Sequence, residues 1–110
     1  MADCIFCDII ADRKPGVKIY EDDALLAIED IHPRAPVHLL IMPKRHVPTL
    51  LDIQPDDTVW LTALPFVANQ LARQCGIADS GYRLVVNVNH GGGQVIFHVH
   101  FHLMGGRHPR

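Results

Sequence analysis

The sequence predicts an α+β fold, a five-stranded antiparallel sheet with one long and one short helix, as one domain over residues 1–110. Three observations carry this. Five runs rich in β-branched and aliphatic residues (17–22, 24–30, 37–43, 82–88 and 95–104) are separated by turn signals. One stretch from Pro55 to Gly76 carries Trp60, Leu64, Val67 and Leu71 at helical spacing. The strand-like runs outnumber the long helices, and hairpin links between them favour antiparallel pairing.

Each element has a local cause. "CIFCDIIADRKPG" reads as a short helix after the cysteines, stopped by Pro15 and Gly16. "VKIYED" and "ALLAIED" flank Asp22-Asp23 as a hairpin. "IHPRAP" is a loop, because its prolines remove backbone donors and restrict their neighbours. "VHLLIMP" is a third strand ending at Pro43. Pro55 suits a first helical turn, and Asp56 and Asp57 favour the positive end of the helix dipole. Pro65 lies inside that helix and is expected to kink it, and Gly76 ends it. "YRLVVNV", the glycine-rich loop "NHGGGQ" and a fifth strand "VIFHVHFHLM" complete the chain, which has no internal repeat or linker.

Composition bounds the function. With 48% hydrophobic and 20% charged residues, the chain has the composition of a soluble globular protein. A net charge of −2 gives no basic field for nucleic acid. No apolar run reaches membrane-spanning length. "MADCIFCDII" lacks the basic and long apolar parts of a signal peptide, so a cytoplasmic location is expected. Three cysteines, an odd count, argue against a disulfide framework. A core this small makes self-association a plausible aid to stability.

The last strand carries the chemistry. Side chains alternate faces, so Val95, Phe97, Val99, Phe101 and Leu103 are expected to share the core face. Ile96, His98, His100, His102 and Met104 then share the other, with successive imidazoles about 6.5–7 Å apart at the backbone. The row could face water, could bind zinc through histidines two apart, or could supply a neutral imidazole nucleophile for phosphorus. "NHGGGQ" favours the last, as glycines let backbone N–H groups approach an anion.

"GGGQVIFHVHFHLMGGR" resembles the signature of the histidine triad (HIT) family, and the trailing "GGR" looks like its nucleotide-binding, purine nucleoside phosphoramidase branch. The resemblance extends through "CIFCDII", "YEDDALLAIEDI", "APVHLLIMPKRH" and "GYRLVVN". It implies a HIT-like fold, a homodimer and a purine nucleotide substrate. By position it implies His100 as nucleophile on the α-phosphorus, with His102 and His38 at the phosphate and Asn87 at its end. It implies Asp30 at the ribose hydroxyls with Ile31 beside it, and Ile5, Phe6, Ile9, Ile28 and Leu40 around the base. Gly93, Gln94 and Val95 are expected beside the phosphate and leaving group. This branch often has serine where Val95 stands, and longer members continue past "GGR", so the resemblance leaves the leaving-group preference open.

The Cys4–Cys7 pair reads as redox or zinc chemistry. No strand precedes it, as redox use wants, and zinc needs two further ligands. Zinc-containing histidine triad proteins take these from positions matching His46 and His98, so the resemblance implies a structural zinc on Cys4, Cys7, His46 and His98. Cys75 reads as a small packing residue, and His32, His90 and His108 as loop or tail histidines. The expected activity is hydrolysis of purine nucleoside 5′-phosphoramidates, such as an AMP–lysine linkage, through a nucleotidyl-histidine. The alternatives are a dinucleoside polyphosphate hydrolase, a zinc-dependent hydrolase with the triad on the metal, and a non-catalytic nucleotide-binding module.

Overall fold

In the computed structural model, residues 3–106 are described. Helix α1 spans Ile5–Ile10 and α2 spans Thr58–Gln74. The strands are β1 (Lys18–Glu21), β2 (Leu25–Glu29), β3 (Val37–Pro43), β4 (Tyr82–Val86) and β5 (Phe101–Gly105). They form one antiparallel sheet in the order β1-β2-β3-β5-β4. No helix among the described residues is long and apolar enough to cross a membrane.

Strand parity divides the sheet into two working faces. On one, Leu25, Ala27, Leu39, Ile41 and Leu103 pack against Trp60, Leu64, Val67, Ala68 and Leu71 of α2, forming the main core. On the other, Leu26, Ile28, Leu40 and Met42 meet Phe6 and Ile9 of α1. Helix α1 has six residues, about 9 Å of rise, and covers only the β2–β3 side of that face.

The α2 face is pinned by a buried carboxylate. Asp57 accepts from Arg45 Nε and Nη2 at 2.9 Å each, and from Gln54 N and Trp60 Nε1 at 2.8 Å. The Arg45 guanidinium first, then the Gln54 and Trp60 donors, hold this carboxyl well below the usual carboxylate range. The pair ties the segment after β3, where His46 lies, to the start of α2.

Three local expectations are corrected. Helix α1 starts inside the C-x-x-C: Cys4 is its N-cap, accepting from Cys7 N at 3.3 Å, and Cys7 lies in its first turn. It ends before Pro15, because Asp12 turns left-handed (φ 62°) and the Asp12 and Arg13 N–H groups bond back to Ile9 and Asp8. Helix α2 continues through Pro65, which lies on its exposed side. Strand β5 starts at Phe101 rather than Val95. Its partner β3 ends at Pro43, and Val99 N bonds instead to Val47 O at 2.7 Å, outside the ladder.

The apolar row expected from Val95 onward therefore begins at Val99. Val95 is 86% exposed, and Phe97 lies against His90 at 5.3 Å rather than in the core. Cys75, expected to pack, is exposed at the C-cap of α2. His108 lies outside the described residues.

Candidate active site

The uncovered part of the α1 face forms a cavity of about 790 Å³, a size suited to a small-molecule ligand. Its floor follows from register. Ile28 pairs with Leu40, Leu40 with His102, and His102 with Val85, so one row crosses four strands on one face. Arg83 and Met104 pair one step along and join the same floor. Ile5, Phe6 and Ile9 of α1 form the apolar wall, while Asp30, Ile31 and His32 form the rim beyond β2.

Four buried imidazoles stand in or behind this cavity, and each has its tautomer fixed by a partner. His100 Nδ1–H donates to His98 O at 2.8 Å. Its Nε2 has no protein partner among the described residues and carries the lone pair, and the ring lines the cavity. Behind it, Arg34 N–H donates to His38 Nδ1 at 3.0 Å, so the His38 proton is on Nε2. That N–H lies 2.9 Å from His102 Nδ1 and 3.3 Å from Asp30 Oδ2. His102 Nδ1 accepts, which leaves its Nε2–H as a donor on the cavity floor. Burial pushes all four imidazoles down, His98 and His102 to about 4, so they are neutral at neutral pH.

His98 is fully buried and turned elsewhere. Its Nε2–H donates to Pro43 O at 2.8 Å, leaving the Nδ1 lone pair toward Cys4, Cys7 and His46. The four donor atoms lie within 4.8 Å of one another. His98 Nδ1 is 3.4 Å from Cys4 Sγ, 3.7 Å from Cys7 Sγ and 3.2 Å from His46 Nδ1, and His46 Nδ1 is 3.3 Å from Cys7 Sγ. Tetrahedral zinc bonds of about 2.0–2.3 Å separate such donors by about 3.3–3.8 Å, so the residues present fit a four-coordinate metal ion. Burial, then the neighbouring Cys4 sulfur, push the Cys7 thiol up to about 11; a cation between the sulfurs reverses that preference.

A second cluster, Asp30, His38 and His102, has metal-like spacing but the wrong protons. The Arg34 N–H occupies the His38 Nδ1 lone pair and so keeps a proton on the Nε2 that would have to ligate. This trio is a hydrogen-bond relay. Nor do the triad imidazoles converge on one ion: His98 belongs to the cysteine cluster, His102 to the relay, and His100 to neither. The expected alternative of three triad histidines on one zinc is corrected accordingly.

The cavity is lined by Ile5, Phe6, Ile9, Ile28, Asp30, Ile31, Leu40, Asn87, Gly93, Val95, His100 and His102 of the expected residues, with His38 behind His102. Two expectations fail. Gln94 does not line it: its Oε1 accepts from Asn89 N, and its Nε2 donates to Pro48 O and Ile96 O. The glycine loop offers only part of the expected amide cradle. The N–H groups of Gly92, Gly93 and Gln94 are spent on Asn89 and His90 carbonyls, and Gly93 serves the left-handed turn (φ 86°). Arg34 and Arg83 line the cavity and were not singled out, since "IHPRAP" reads only as a loop and the facing of Arg83 requires the β4–β5 register. His32, read as a loop histidine, lines it too.

Comparison with known proteins agrees with this geometry. The HIT domain model matches residues 11–109. The chain is 44% identical over 103 residues to the purine nucleoside phosphoramidase of Escherichia coli (strain K12), covering 94% of this chain and 87% of that protein. It is similar to the crystal structure of a HIT family hydrolase from Legionella pneumophila Philadelphia 1, with a TM-score of 0.93 and 46% identity over 96% of this chain and 95% of that one. A Zn-bound histidine triad family protein from Mycobacterium smegmatis is similar at a TM-score of 0.82 and 31% identity, covering 96% of this chain and 76% of that one.

Proposed function

The chain belongs to the HIT domain family, and on that premise we propose that it hydrolyses purine nucleoside 5′-phosphoramidates through a nucleotidyl-histidine on His100. The observation that carries this is the 2.8 Å bond from His100 Nδ1–H to His98 O, which leaves Nε2 as a neutral nucleophile in the cavity. The base lies against Ile5, Phe6 and Ile9, with Ile28 and Leu40 beneath it. Asp30, whose Oδ1 already accepts from His32 N, turns its remaining lone pairs to the ribose hydroxyls. His102 Nε2–H and Asn87 hold phosphate oxygens.

His100 Nε2 attacks phosphorus as the phosphorus–nitrogen bond of the substrate breaks, and the amine leaves after gaining a proton. Water then attacks phosphorus, the bond to Nε2 breaks, and the nucleoside monophosphate departs with the imidazole restored. Rapid acid quench with a slow substrate, followed by peptide mass mapping, tests this. The nucleotidyl group is expected on His100; finding it on His102 or His38 overturns the assignment.

One observation favours a second reading. Arg34 and Arg83 line the cavity, and Val95 has no hydroxyl to assist a leaving amine. Both features suit a polyphosphate leaving group, as in a dinucleoside polyphosphate. Direct competition of AMP phosphoramidates against dinucleoside polyphosphates decides between the two.

Cys4, Cys7, His46 and His98 would hold a zinc ion with no coordination position left open, a structural role that crosslinks α1 to distant segments. Free thiols at Cys4, Cys7 and Cys75 suit a reducing cytoplasm. Self-association as a homodimer is supported by the open edge of β4 and by Val59 and Phe66, both exposed on α2. Sedimentation of the wild type against Phe66→Lys tests it.

A further inference from the structure

The metal cluster and the nucleotide cavity share parts to a degree that a merely distant staple would not. Helix α1 has six residues. Its N-cap and first turn carry the two thiols of the cluster, while Ile5, Phe6 and Ile9 form the apolar wall of the cavity. The Phe6 ring sits between the two sites. It meets His98 edge-on at 5.8 Å and His100 edge-on at 5.0 Å between centroids. The backbone makes a second link, because the carbonyl that holds His100 Nδ1–H belongs to His98, itself a member of the cluster.

From this arrangement we infer that occupancy of the Cys4–Cys7–His46–His98 cluster by a divalent metal ion and occupancy of the cavity by a nucleotide are energetically coupled, with Phe6 as the positioning residue between them. The nucleotide half of the inference rests on the proposed function; the link from metal to His100 does not. A bound ion fixes Cys4 and Cys7, hence the helix that presents Phe6, hence the ring against which His100 is held. A nucleotide base seated on Ile5, Phe6 and Ile9 presses the same helix toward the cluster. Coupling of this kind is reciprocal: whatever factor the metal adds to nucleotide affinity, the nucleotide adds to metal affinity.

Two measurements on the metal-loaded protein test it. The first uses no nucleotide. Zinc is replaced by the larger cadmium ion, and the hydrogen-bonded His100 Nδ1–H is followed by NMR. Its resonance is expected to move, while that of the Trp60 indole N–H, bonded to Asp57 on the far face of the sheet, stays in place. In Phe6→Leu the His100 displacement is expected to shrink. An unmoved His100 resonance in the wild type overturns the link, and an undiminished displacement in Phe6→Leu overturns the role of Phe6 in it. The second measurement is zinc affinity, read by equilibrium competition with a chromogenic chelator with and without saturating AMP, after calorimetry has established AMP binding. AMP is expected to raise zinc affinity by about fivefold or more, the lower end of typical couplings, with a ratio near one in Phe6→Leu. Equal zinc affinities with and without bound AMP overturn the coupling. Absence of AMP binding instead sinks the functional reading, and the cadmium measurement then decides the metal-to-His100 link alone.

Discussion

His38 Nε2 and His102 Nδ1 lie 2.9 Å apart, with both rings buried and the proton assigned to His38 by the Arg34 backbone N–H on its other nitrogen. The direction of this bond decides what His102 can offer a ligand. With His38 in place, His102 presents Nε2–H to the cavity; without it, the ring is free to carry its proton on Nδ1 and present a lone pair to an anion. His38→Ala is therefore expected to lower kcat about tenfold to a hundredfold, as for other groups that orient a working histidine. His102→Ala removes the donor itself and is expected to cost about 10²–10³ in kcat. Steady-state kinetics of both variants check this; a His38→Ala enzyme at full activity breaks the relay argument.

His100→Ala is expected to lower turnover by about 10³-fold or more, while retaining metal and nucleotide binding. The other triad imidazoles cannot replace it. His98 Nε2 is bonded to Pro43 O and its Nδ1 faces the cysteines, and His102 Nδ1 is bonded to His38. Calorimetry with AMP and metal analysis separate loss of chemistry from loss of fold. Full activity in this variant removes the nucleophile assignment.

Much of this site was legible because it depends on short periods. Alternation along 99–104 put His100 and His102 opposite Val99 and Leu103, and β3 has the bounds that its prolines suggest. The illegible parts depend on segments far away in sequence. Strand β5 starts where β3 lets it, a limit set by Pro43 and Val47 rather than by "VIFHV". The tautomers of His98 and His38 are set by Pro43 O and by Arg34 N. Arg83 joins the cavity only through its register with Met104. Gln94 shows the limit of a motif: the glutamine beside the glycines braces the loop from within.

Purified protein is expected to carry about one zinc per chain, because the four donors match a closed tetrahedral site. Cys4→Ala/Cys7→Ala is expected to lose the metal and to lower Tm, since α1 would then lose its metal link and keep the apolar contacts of Phe6 and Ile9. Metal analysis after reducing, chelator-free purification and a thermal melt provide the test. A metal-free wild type, or an unchanged melt in the double variant, counts against the site.

Val95→Ser is expected to raise turnover of substrates with basic alkylamine leaving groups relative to substrates with good leaving groups. Val95 lines the cavity, is largely exposed and offers no hydroxyl, while a departing amine must gain a proton. Arg34→Gln tests the opposite end of the leaving-group range. Losing this rim cation should lower kcat/KM for anionic leaving groups more than for neutral ones. If Val95→Ser leaves the ratio unchanged, the proton comes from another group.

Asp57 sets the expected acid limb of stability. Its carboxylate accepts four hydrogen bonds, two from Arg45, and its side chain is buried. The folded state therefore holds this carboxyl well below its unfolded value of about 3.9. A depressed carboxylate adds stability that is fully present above the unfolded value and is lost as pH falls toward the folded one. Asp57→Asn keeps the shape but removes the charge and one acceptor. The half-exposed Arg45 arm discounts the pair, leaving an expected cost of about 2 kcal/mol at pH 7. For a chain of this length that is a Tm loss of about 8 °C. The gap between variant and wild type should narrow as pH drops from about 4 toward 2, because the wild type loses what the variant already lacks. Melts at pH 7 and pH 3 read it directly. A gap that is the same at both values would show that Asp57 stabilises the fold by shape and not by charge.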